Sequence, residues 1–219
     1  MENTVNPENT CSDLYKKTQY REDALNYMLQ MQRDLQVYIG NKRGNKHPLS
    51  EMTDQARADE AIYFWGCATT EWYELIDSRD KYLFIDNSEK QKLEMQYELI
   101  DIWHFLMNVF LYTGIDSSEA TLADVYNQDY IEDTIEHHWA ELSYWVGNYI
   151  NSLPYKHWKT YKEYKIDDKE LANCFSNILT IFVHIAVELG IDKEKFFDLY
   201  VSKNAENIER QNNESKNYI

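Results

Sequence analysis

From Tyr97 to Leu111 the chain reads YELIDIWHFLMNVFL, and its strongly polar residues, Glu98, Asp101, His104 and Asn108, follow one another at intervals of three, three and four. On an α-helix that spacing gathers them into one narrow stripe and leaves every other face apolar. A helix on a protein surface shows a broad charged face instead. This helix is therefore expected to be surrounded by other elements, with Glu98 and Asp101 held partly out of water among Leu99, Ile102, Trp103 and Phe105. An unpaired carboxylate in such a place costs on the order of several kcal/mol, so a cation or strong donors must compensate it.

The rest of the chain supplies helices to surround it. Only 6 Gly and 3 Pro interrupt 219 residues, and such a composition favours long helices with few tight turns, an all-α fold. Apolar residues at helical spacing predict a first helix over Glu22 to Ile39, ended by the basic, Gly-containing stretch from Gly40 to Pro48. A second is expected from Asp54 to Ser78 and a third from Glu89 to Tyr112, stopped by Gly114. Residues 115–168 read as a helical insert whose clearest helix spans Ile131 to Leu153 and closes near Pro154. Helices from Lys169 to Leu189, ended by Gly190, and from Asp192 to about Gln211 complete the chain. Residues 1–219 are thus expected to form one domain, with 1–20 a loose polar arm.

A formal charge of -16, with no long basic run, argues against a nucleic-acid polymer or an anionic membrane as partner. Cys11, Cys67 and Cys174 are odd in number and widely separated, which indicates neither a disulfide framework nor a zinc site and suits a reducing cytoplasm. The N-terminus lacks the basic and apolar regions of a signal peptide, and the apolar run from Ile178 to Leu189 is short for a membrane span. A soluble cytoplasmic protein is expected.

The second helix repeats the device of the third. Glu71 and Glu74 stand three apart in TTEWYELIDS, among apolar neighbours. If the two helices pack side by side, four carboxylates converge. An all-oxygen cluster of this kind suits Mg2+, with Mn2+ as the alternative, and Mg2+ commonly binds through carboxylates together with substrate phosphates.

Three segments, TTEWYELIDS (69–78), YELIDIWHFLMN (97–108) and LYVSKNAENIERQNN (199–213), resemble the central motifs of the dimeric all-α dUTPases and of the related bacteriophage dCTP/dUTP pyrophosphatases. MLQMQRDLQ (28–36) resembles the family's first-helix motif more weakly, and the insert is largely unmatched. The resemblance implies a helical bundle of the all-α nucleoside triphosphate pyrophosphatase type that hydrolyses dUTP to dUMP and pyrophosphate as a homodimer, in the host cytoplasm if phage-encoded. It implies that Glu71, Glu74, Glu98 and Asp101 hold Mg2+, with Glu71 orienting the attacking water. It assigns phosphate binding to Lys203, Asn204, Asn207 and Arg210, and base or sugar contacts to Gln32, His104 and Asn108. Two departures stand out: RDKYLFIDN follows Ser78 where relatives have an aromatic, lysine-rich segment, and PYKHWKTYK (154–162) in the insert has that character instead.

The same residues bear on three other functions. A ferritin-like di-metal oxidase needs Glu-x-x-His on two helices, and only Asp101-x-x-His104 approaches that pattern. Dual hydrolysis of dCTP and dUTP is the nearer alternative. A scaffold that binds a regulatory protein through its 18 tyrosines is a third.

Overall fold

A computed structural model describes residues 19–42, 51–115, 118–128, 133–153 and 168–212. Within them the chain forms seven α-helices: α1 (Ala24–Lys42), α2 (Asp54–Phe84), α3 (Glu89–Thr113), α4 (Leu122–Tyr126), α5 (Ile135–Asn151), α6 (Asp168–Glu188) and α7 (Lys193–Asn212). No strand occurs among the described residues. The expected loose arm, except Gln19 and Tyr20, and the segment PYKHWKTYK lie outside them.

Local chemistry sets the helix ends. Thr53 and Ser88 cap α2 and α3, their hydroxyls accepting from the backbone N–H of Ala56 and Gln91 at 3.2 Å. Gly114 takes the left-handed conformation (φ 99) that closes α3, and Gly190 (φ 71) follows the end of α6. The Asp192 carboxylate accepts from the backbone N–H of Lys195 at 2.8 Å and opens α7. The second helix outruns its expected end at Ser78 and continues to Phe84. Residues 79–84 contain no Gly or Pro to stop it, and Lys81 pairs with Asp77 one turn back at 2.5 Å.

Helices α2 and α3 form an antiparallel hairpin, the most extensive helix pair in the molecule. Its two ends are tied by side chains: Arg57 Nε donates to the Tyr112 carbonyl at 3.1 Å, and Gln91 Nε2 to the Ser78 carbonyl at 3.4 Å. Helices α5 and α6 make a second pair, while α1 and α7 pack on each other and on α3. Trp103 of α3 anchors the core, with its ring against Phe110, Phe182 and Phe196. The segment Lys169–Glu188 is long and apolar enough by composition to cross a membrane, with a mean hydropathy of 1.4, yet 61% of it is buried inside the bundle.

Trp139 of α5 lies against two tryptophans of α2. Its ring is parallel to Trp72 within 2° at 4.3 Å and stacks on Trp65 at 5.5 Å. Arg79 of α2 adds an ion pair to Glu136 of α5 at 2.7 Å. Together these contacts clamp α5 onto the helix that carries Glu71.

Candidate active site

Glu71 and Glu74 project from α2 and Glu98 from α3, and each places a carboxylate oxygen within 4.8 Å of the other two. The hairpin causes this meeting, because it lays the three-residue spacing on α2 beside the same spacing on α3. Burial, reinforced by the charges of Asp101, Glu74 and Glu98, pushes the Glu71 carboxyl up to about 7. Glu98 is raised for the same reasons: burial first, then Asp101 and Glu74. Three like charges at this separation repel one another, and the hard oxygen donors they offer fit a divalent cation such as Mg2+ or Mn2+.

Asp101 stands outside that trio. Its Oδ2 lies 2.7 Å from the Lys203 ammonium of α7. Burial raises the Asp101 carboxyl, opposed by Lys203. Lys203 also comes within 3.7 Å of Glu206 and lies 5.7 Å from the centre of the Tyr97 ring.

The other α7 candidates occupy different settings. Asn204 is fully buried, and neither its Oδ1 nor its Nδ2 has a hydrogen-bond partner among the described residues. Asn207 is half-buried, and Arg210 is exposed with its guanidinium on Glu206 at 2.7 Å. The structure thus brings Lys203 to the carboxylates and leaves Arg210 further along the helix surface.

Gln32, His104 and Asn108 meet one another in the core. Gln32 Nε2 donates to Asn108 Oδ1 at 2.8 Å, and Gln32 Oε1 lies 2.8 Å from His104 Nδ1. Tyr200, which sequence reasoning passed over, completes the group. Its hydroxyl lies 3.0 Å from Gln32 Oε1 and 3.0 Å from the Met28 carbonyl, and its ring stacks on His104 at 4.2 Å. A tyrosine at a buried helical position reads as core, so only its place one turn before Lys203 and Asn204 on α7 marked it. His104 Nε2 is buried without a partner among the described residues. Burial, then the Lys203 charge, hold the His104 imidazole down at about 3, so it is neutral.

A profile of the dUTPase family matches residues 24–215, which takes in both carboxylate helices and the α7 segment. The chain belongs to the dUTPase family. Among curated relatives of this dUTPase-family chain are two phage proteins named dCTP pyrophosphatase. That of Enterobacteria phage LZ5 is 30% identical over 123 residues, covering 44% of this chain and 72% of the relative. That of Enterobacteria phage T4 is 28% identical over 128 residues, covering 45% and 72%. No solved structure matches the chain significantly. Membership agrees with the all-α architecture expected from the motifs.

Proposed function

We propose that the protein is a Mg2+-dependent nucleoside triphosphate pyrophosphatase that hydrolyses dUTP to dUMP and pyrophosphate. The observation that carries this reading is the meeting of Glu71, Glu74 and Glu98 within 4.8 Å across the hairpin, with the Lys203–Asp101 pair beside them. Family membership supports the reaction class. The names of the phage relatives favour dCTP as a second substrate.

Glu71, Glu74 and Glu98 are the residues to hold Mg2+, with Asp101 completing the set once Lys203 turns to the substrate. Bound there, Mg2+ supplies Lewis-acid screening of the triphosphate charge. Glu71 sits at the most crowded point of the cluster, orients a water for attack at the α-phosphorus and takes up its proton. The new P–O bond forms in line with the one that breaks, and pyrophosphate departs. Lys203 acts as a point charge on the phosphates, and Arg210 as a bidentate clamp after leaving Glu206. Asn204 and Asn207 add amide contacts from the same helix.

A homodimer is part of the same proposal. The exposed apolar side chains of Leu83, Phe84 and Ile85 at the end of α2 are available for such an interface.

The test is to incubate the purified protein with Mg2+ and each deoxynucleoside triphosphate and to measure pyrophosphate release. Fastest turnover of dUTP, with dUMP as the second product, is the expected result. Preference for a purine, or release of inorganic phosphate in place of pyrophosphate, would overturn the reading.

A further inference from the structure

Helix α7 turns one face to the acidic centre, and that face carries an anion of its own. Lys203, Glu206 and Arg210 stand at intervals of three and four, so they share one side of the helix. Glu206 lies between the two cations and reaches both. Its Oε1 accepts from Arg210 Nη2 at 2.7 Å, and its Oε2 lies 3.7 Å from Lys203 Nζ. The two oxygens of one carboxylate are thus divided between two positive charges. Asp101 takes Lys203 from the other side at 2.7 Å, which makes a row of alternating sign: Asp101, Lys203, Glu206, Arg210.

The row is electrostatically continuous. The Asp101 carboxyl, raised first by burial and held down by Lys203, also responds to Arg210, which lowers it, and to Glu206, which raises it. Lys203 is 9% exposed, whereas Glu206 is 47% and Arg210 46% exposed. The ammonium is therefore enclosed at the site, while the carboxylate and the guanidinium reach water and can part with little change in solvation.

A carboxylate that bridges two cations stands where a phosphate would. Carboxylate and phosphate oxygens accept the same charge-assisted hydrogen bonds from guanidinium and ammonium groups. An entering phosphate chain finds both partners engaged, and Glu206 has to give way before Lys203 and Arg210 act on it. An ion pair of this exposure contributes little to folding, so its consequence is felt at the site.

We propose that Glu206 is an internal competitor for the phosphate site: it holds Lys203 and Arg210 in the free protein, is displaced when a polyphosphate arrives, and retakes both cations as pyrophosphate leaves. Competition of this kind weakens every phosphate ligand of the two cations by one factor, so it raises KM and hastens product departure without touching the chemical step. The inference rests on the pyrophosphatase reading for the identity of the ligand, while the bridging is a property of α7 itself.

The probe is pyrophosphate, titrated in the presence of Mg2+ into the parent protein, Glu206→Gln and Glu194→Gln and followed by calorimetry. Glu194 stands in the first turn of α7, about 18 Å of helix rise from Glu206, so its variant makes the same change of net charge away from the site. Glu206→Gln is expected to bind pyrophosphate about fivefold more tightly than the parent, the scale of one partly exposed ion pair, and Glu194→Gln to bind it as the parent does. With dUTP, the KM of Glu206→Gln falls by a similar factor and kcat does not rise. Equal or weaker binding of pyrophosphate by Glu206→Gln, or an equal gain in Glu194→Gln, would overturn the inference and leave the hydrolytic reading standing. Tighter binding by Glu206→Gln in a protein that hydrolyses no deoxynucleoside triphosphate would overturn the hydrolytic reading and leave the competitor standing. Absence of binding to all three proteins would overturn both.

Discussion

The Lys203 ammonium lies 2.7 Å from the Asp101 carboxylate, where the two side chains are only 9% and 17% exposed. The pair joins α7 to α3 beside the three glutamates that face one another across the hairpin. One carboxylate of the acidic centre is thus neutralised by the chain itself, and the remaining three keep an excess of negative charge.

Removing one member of this pair strands the other. Lys203→Met is expected to lower stability by about 3 kcal/mol, because Asp101 loses its partner in a partly dry site. Adding Asp101→Asn to the same chain recovers most of that loss. Urea unfolding of the single and double variants measures both effects.

Glu71→Gln and Glu98→Gln keep the shape of each side chain and delete its charge. Both variants should fold and lose turnover by at least about a hundredfold. The raised carboxyl of Glu71 means that its charged form is disfavoured in the folded protein. In metal-free buffer at pH 8, Glu71→Gln should therefore melt above the parent protein, and addition of Mg2+ should raise the melting temperature of the parent more than that of the variant.

The stripe on α3 was legible because it depends on helical spacing alone, and the helix runs from Glu89 to Thr113 with Gly114 as its stop, within one residue of its expected end. The approach of Glu71 and Glu74 to Glu98 was legible on the condition that adjacent helices pair, which the short connection from Ile85 to Ser88 enforces. The partner of Asp101 was not legible, since Lys203 lies far along the chain and only tertiary packing selects it from the other basic residues. The same holds for Gln32, whose partners come from α3 and α7. Helix α2 continued past Ser78 because end signals are weak where neither Gly nor Pro intervenes. The roles expected of Asn207 and Arg210 were drawn from motif likeness, and Arg210 pairs with Glu206 in this structure.

The buried His104 sets a pH dependence of known sign. Its folded-state value of about 3 lies below the ordinary 6.5, so the unfolded chain takes up the proton first. The stability tied to this group is complete above pH 6.5 and is lost as pH falls towards 3, by up to about 1.4 kcal/mol per unit. Glu71 acts in the opposite sense between 4.5 and about 7, since its folded value is raised. Unfolding free energies are measured against pH in Glu71→Gln and in Glu71→Gln with His104→Asn, and the difference between the two curves should show the His104 contribution, growing as pH rises from 3 to 6.5.

The tryptophan stack separates the stability of the bundle from its chemistry. Trp139→Ala removes the ring that lies 4.3 Å from Trp72, and the expected cost is about 2 kcal/mol for a partly buried aromatic. The carboxylates stay on the α2–α3 hairpin, so Mn2+ affinity should change less than twofold. Thermal unfolding and metal titration of the same preparation check the two halves of this expectation.

The central claim, that Glu71, Glu74 and Glu98 together form a divalent-cation site, is tested most directly by titrating Mn2+ into the protein and into Glu98→Gln and following the free ion by electron paramagnetic resonance. The account predicts saturable binding to the parent, competed by Mg2+ and weakened at least about tenfold by the single substitution. Equal binding to parent and variant, or no saturable binding to either in the presence of dUMP and pyrophosphate, would contradict it.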